Sequence, residues 1–146
     1  MIHLDRVAIT ADLRLDHPPE RVWRALTEPD RIADWLMPGD FRAVVGHRFT
    51  FQTRPIPPHF HGVVHGEVLV VEPPCRLVYS WRGGGLDTTI SFHLEADGDG
   101  AMLHFEHGGF DRARPEQDAA YRGMEPGWTG HIMDRLRRTM DALPAA

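Results

Sequence analysis

Ten histidines, one cysteine and a handful of serines carry most of the chemistry open to this 146-residue chain, whose sixteen basic residues are all arginine. With no lysine, Schiff-base and lysine-nucleophile mechanisms are excluded. His59, His61, His65 and Glu67 share one parity, so on an extended strand they would project from one face, the first two about 7 Å apart. A stripe of this kind meets only the first requirement of a metal site. Pro57 and Pro58 delay the strand to about Gly62, and the sequence offers no convincing fourth ligand from elsewhere. No resident metal or other cofactor is expected. His93, His104 and Glu106 fall at polar positions on the two arms of a hairpin and should face water. His107 has the apolar parity of Leu103 and Phe105, and is expected inside as a hydrogen-bonded structural residue rather than a catalyst. Ser80, Ser91 and Cys75 lack activating neighbours: there is no Gly-x-Ser-x-Gly elbow, and Cys75 follows Pro73-Pro74 without a base beside it. Gly83-Gly84-Gly85 has no following lysine or helix, so it reads as a hairpin loop and not a phosphate cradle. No catalytic residue is assigned.

The elements that must position these groups follow from hydrophobic period. Val7, Ile9, Ala11, Leu13 and Leu15 alternate with mostly polar neighbours, which predicts a strand with one buried face. Asp16 is a candidate cap for a helix over Pro18 to Thr27, and after Pro29 a second short helix fits Asp30 to Leu36. From Phe41 to Phe110 alternation returns, and no helical stretch is long enough to cross between parallel strands, so an antiparallel meander is expected. Leu86, Thr88, Ile90, Phe92 and Leu94 give its cleanest inward face, followed by the Asp97-Gly98-Asp99-Gly100 turn. Trp128, Ile132, Met133, Leu136, Met140 and Leu143 recur at spacings of three and four, predicting a helix over about Pro126 to Leu143 that covers the sheet. Asp111 to Glu125 reads as a polar loop with at most one helical turn.

Composition bounds the answer. A 146-residue chain fits one domain with one sizeable core, expected to span residues 1–146. The net charge of -5 disfavours nucleic acid as a partner. The longest apolar run, Val68 to Val71, is far too short to span a bilayer, and charged residues interrupt the amino-terminal segment, so a cytoplasmic protein is expected.

Several motifs together resemble one superfamily. His17-Pro18-Pro19-Glu20-Arg21-Val22-Trp23-Arg24-Ala25-Leu26-Thr27, then Pro29 and Trp35, is similar to the opening of the START and birch-pollen-allergen-like (SRPBCC) superfamily. The branch is the one similar to the C-terminal domain of activators of the ninety-kilodalton heat-shock chaperone ATPase. Glu67-Val68-Leu69 to Glu72-Pro73-Pro74, with Arg76-Leu77-Val78-Tyr79-Ser80-Trp81, resembles its central hairpin, and Gly127-Trp128 the opening of its last helix. Two departures stand out: Gly46-His47-Arg48-Phe49 where many relatives have paired glycines, and the histidine-bearing insertion from Arg54 to His61. The resemblance implies an α+β helix-grip fold, a curved antiparallel sheet wrapped around a long C-terminal helix. Co-chaperone activity is not expected, because such activators carry a separate chaperone-binding domain and nothing precedes the strand at Val7.

Within that fold the ligand-cavity candidates are Trp35, Phe51, Tyr79, Trp81, Phe92, Phe105, His107, Trp128 and Ile132. The leading reading is a noncatalytic domain that binds a small apolar or amphipathic molecule between sheet and helix. An alternative is a polyketide cyclase-like or other cavity enzyme using His107, Tyr79 or an inward acidic residue. A third is a protein-binding accessory module acting through its surface, and a homodimer is left open.

Overall fold

The alternation of the opening segment forms β1 (Arg6–Leu15), with Ile9, Leu13 and Leu15 buried. The computed structural model describes residues 6–55 and 60–144. Two short helices follow, α1 (Pro19–Thr27) and α2 (Pro29–Trp35), each with a proline in its first turn. Pro29 therefore starts the second helix instead of separating it from the first, since its missing N–H would be an orphan there anyway. Asp16 does not cap α1. Its carboxylate accepts a hydrogen bond from Arg14, and α1 begins without a side-chain cap.

The meander comprises β2 (Arg48–Gln52), β3 (Val63–Glu72), β4 (Arg76–Gly83), β5 (Leu86–Asp97) and β6 (Gly100–Asp111). With β1 they form one antiparallel sheet in the order β1-β6-β5-β4-β3-β2. Beyond it lie α3 (Pro115–Pro126), a π-helical turn (Gly127–Ile132) and α4 (Met133–Asp141). This is the helix-grip arrangement, and the buried apolar residues of sheet and helices form one cluster.

The C-terminal helical run is longer than its apolar stripe announces. It begins at Pro115, not Pro126, so most of the expected loop is helix. Pro115 opens the first turn and Glu116 and Asp118 lie within it, where acidic side chains oppose the partial positive charge of the helix start. The stripe is faint because α3 contributes only Gln117 as a buried residue, with Ala120, Tyr121 and Met124 partly covered. Pro126 is tolerated because it lies at the junction with a wider winding: the Met133 N–H reaches back to the Trp128 carbonyl.

Two glycines shape the inner face of the sheet. Gly109 has φ +96° and interrupts the β1–β6 register between Val7 and Ala8, a bulge that turns Phe110 inward beside His107. At Gly66 a Cβ would land on the Phe49 ring and 2.5 Å from the Ser80 carbonyl oxygen, and the backbone there cannot yield. Gly66→Ala is expected to destabilise the fold by about 1–3 kcal/mol, seen as a lowered urea midpoint.

Candidate functional site

Strand register brings the aromatic residues together. Tyr79 pairs with Ile90 and Ile90 with His107, while Trp81 faces Thr88 one step along. The same alternation aims Phe49 and Phe51 of β2 and Phe92 and Phe105 of β5 and β6 at the helices. The rings are in continuous contact, with centroids 6.1 Å apart for Phe51 and Trp81, 6.0 Å for Tyr79 and Phe92, and 5.4 Å for Phe92 and Phe105. Trp128 closes the group from the π-helical turn, 4.4 Å from Phe105 and 5.8 Å from Trp81. Ile132 is partly buried at the rim of this cluster. Trp35 is in ring contact with Phe92, at 6.1 Å, and its indole N–H is given to the Ala25 carbonyl, which ties α2 to α1.

A polar relay crosses this apolar group. The Trp128 indole N–H donates to His107 Nδ1 over 3.1 Å, and an indole can only donate, so the imidazole proton resides on Nε2. From there it is directed to Thr88 Oγ1 at 2.7 Å, and the Thr88 hydroxyl in turn donates to the Trp81 carbonyl at 3.0 Å. His107 has no exposed surface, and burial pushes its pKa down to about 3. It is neutral at physiological pH, with both ring nitrogens engaged. Burial likewise pushes the Tyr79 phenol up, so it stays protonated. Among the described residues the buried polar or charged side chains, Tyr79 aside, are Ser80, Thr88, His107 and Gln117, with no carboxylate to make an inward acid/base pair.

Sequence reasoning missed three members. Phe41 is fully buried against Phe49, Phe51 and Tyr79, but it lies in an irregular stretch before β2 where no period marks it. Phe110 follows the bulge and contacts His107 and Tyr121 at 4.6 and 5.6 Å. Gln117 holds α3 in place: its Oε1 accepts from the Asp111 N–H at 2.8 Å, and its amide donates to the Gly85 carbonyl at 3.2 Å.

The fold is shared by a whole superfamily, and within it the model of one family, Activator of Hsp90 ATPase homolog 1-like protein, matches residues 16–141. The chain belongs to that family. Among solved structures it is similar to protein MLL2253 from Mesorhizobium loti, at 34% identity and a TM-score of 0.83, over 95% of this chain and 100% of that one. CalU16 from Micromonospora echinospora is 28% identical with a TM-score of 0.73, over 94% of this chain and 78% of its own. The Aha1 dimer from Colwellia psychrerythraea shares the fold, at 21% identity and a TM-score of 0.74, over 94% of this chain and 96% of that one. No curated protein matches the chain.

Of the other histidines of this family member that the sequence singled out, those among the described residues make no ring contact with the aromatic group. His61 and His65 are exposed, Glu67 is half-buried and its side chain is 3.5 Å from Arg48, and His59 lies outside the described residues. Among the described residues no group of three His, Cys, Asp or Glu side chains could hold a metal ion. His93 and His104 pair across β5 and β6 on the outer face. Asp12 at 2.7 Å, and then Glu95 at 3.4 Å, raise the His104 pKa above its ordinary value. No helix among the described residues is long and apolar enough to cross a membrane.

Proposed function

We propose that this protein binds a small apolar or amphipathic molecule between the inner face of its sheet and its C-terminal helix, without catalysing a reaction on it. The observation that carries this reading is the π-helical turn at Gly127–Ile132, which sets Trp128 on Trp81, Phe105 and His107. Single π turns in otherwise α-helical runs recur at functional sites, because the wider winding forgoes regular hydrogen bonds to aim a side chain. The flanking α3 contains Gly123 and ends at Pro126, and the turn itself holds Gly127 and Gly130, all poor helix formers. A helical cover built this way is held chiefly by its contacts, so a ligand can enter by displacing it from the aromatic floor.

Catalysis has little support. His107 is neutral with both nitrogens bonded, and no buried carboxylate accompanies it among the described residues. The protein-binding alternative draws on Val44, Val45 and Leu69, exposed large apolar residues near the β2–β3 edge among the described residues. Similarity to a protein solved as a dimer supports a second copy as a further partner.

Native mass spectrometry of freshly purified protein, combined with titration of an apolar fluorescent probe, tests the reading. A retained small molecule, or saturable probe binding abolished by that molecule, is the expected result. Absence of both a retained mass and probe binding would overturn it in favour of the surface module.

A further inference from the structure

We propose that the Tyr79 hydroxyl is the polar anchor of the bound molecule, and that the ligand is a neutral, flat, apolar compound carrying a hydrogen-bond acceptor such as a ketone, quinone or ester oxygen. This rests on the binding reading above and names its ligand class. Tyr79 projects from β4 into a cage of Phe41, Phe49, Phe51 and Phe92, with ring centroids 5.4, 5.2, 6.2 and 6.0 Å away, and it is 2% exposed. Its hydroxyl makes no hydrogen bond to any described residue.

Among the described residues, each of the other polar side chains of this interior makes at least one hydrogen bond. Ser80 Oγ accepts from the Glu67 N–H, Thr88 donates to the Trp81 carbonyl, His107 uses both nitrogens, Gln117 uses both ends of its amide, and the Trp35 and Trp128 indoles both donate. Buried hydroxyls are normally paired, and one left unpaired among aromatic rings carries a desolvation penalty that phenylalanine at the same place would avoid. The one side-chain polar atom that is both sealed off and unbonded among the described residues is Arg21 Nε, on a guanidinium that also donates to the Leu143 carbonyl. The Tyr79 oxygen is not sealed off in that way, since the residue keeps 2% exposure, and the acceptor atom would approach it from there.

The chemistry of that acceptor follows from what surrounds it. A phenol held protonated by burial can donate but cannot neutralise an anion. Among the described residues no buried arginine or charged histidine is present in the aromatic group to pair with a carboxylate or phosphate, which would be left as an uncompensated charge. An uncharged oxygen is what the site can accommodate, and the ring-lined cage favours a flat molecule around it.

Tyr79→Phe, compared with wild type by calorimetric titration of 2-acetonaphthone and of its carbonyl-free counterpart 2-ethylnaphthalene, tests this. The expected result is a roughly tenfold weaker affinity for the ketone, no change for the hydrocarbon, and no fall in thermal midpoint. In wild type, the carbonyl carbon of labelled 2-acetonaphthone should also move downfield on binding, a readout that does not depend on the variant. An equal change for both probes, no change for either, or an unmoved carbonyl resonance would overturn the anchor while leaving the binding reading in place. Failure of wild type to bind either probe would overturn both.

Discussion

Trp128→Ala is expected to lower folding stability by about 3–5 kcal/mol, measured by urea unfolding. Trp128 is 2% exposed and in ring contact with Phe105, Trp81 and His107, so truncation empties a space that the sheet and the π-helical turn enclose on both sides. The loss has a polar part as well: without the indole N–H, His107 Nδ1 is left as an unpaired buried acceptor. Trp128→Phe separates the two, keeping most of the volume and losing the donor, and its cost should be about 1–3 kcal/mol. A cost for Trp128→Ala below about 1 kcal/mol would mean that the side chain borders open space instead of filling the core.

The second large effect is a fall in stability on acidification, governed by His107. Its pKa is pushed down to about 3 in the folded protein, against roughly 6.5 in an unfolded chain. Between these values the unfolded state binds a proton that the native state excludes, so stability rises with pH by about 1.4 kcal/mol per unit and is lost as pH falls. From about pH 6.5 to pH 4 this amounts to roughly 3 kcal/mol. His107→Gln retains a donor and an acceptor without titrating, and the difference between wild type and this variant should flatten above about pH 6.5. His104 works in the opposite sense: its raised pKa contributes stability below the unfolded value that is lost as pH rises through the folded one, and it is better removed from the comparison by reading the range below pH 6. A pH-independent difference between wild type and His107→Gln would show that His107 is not held neutral by burial.

What the sequence determined by itself was local. Alternation along β1 and β5 specified which residues face inward, and parity with Leu103 and Phe105 was enough to put His107 inside and His93, His104 and Glu106 outside. The three-and-four spacing from Trp128 to Met140 marked the covering helix, and the motifs around Trp23 and Tyr79 carried the resemblance that the family match bears out. Period is set by backbone geometry over a few residues, which is why these features are readable one segment at a time.

What only the tertiary structure decided depends on which segments meet. Helix α3 was hidden because its inward side is mostly polar or partly covered, and Gln117 is buried only because the β4–β5 turn and the end of β6 supply partners for its amide. Phe41 joins the core from a stretch with no period at all. The relay from Trp128 through His107 and Thr88 to the Trp81 carbonyl requires three strands in register and a π-wound turn above them. Whether a buried polar atom is satisfied is a property of such long-range meetings. Nothing in the local pattern around Tyr79 or His107 distinguishes the hydroxyl left without a partner from the imidazole with two, because hydrogen-bond satisfaction is decided by neighbours distant in the chain and periodicity records only the face a residue takes.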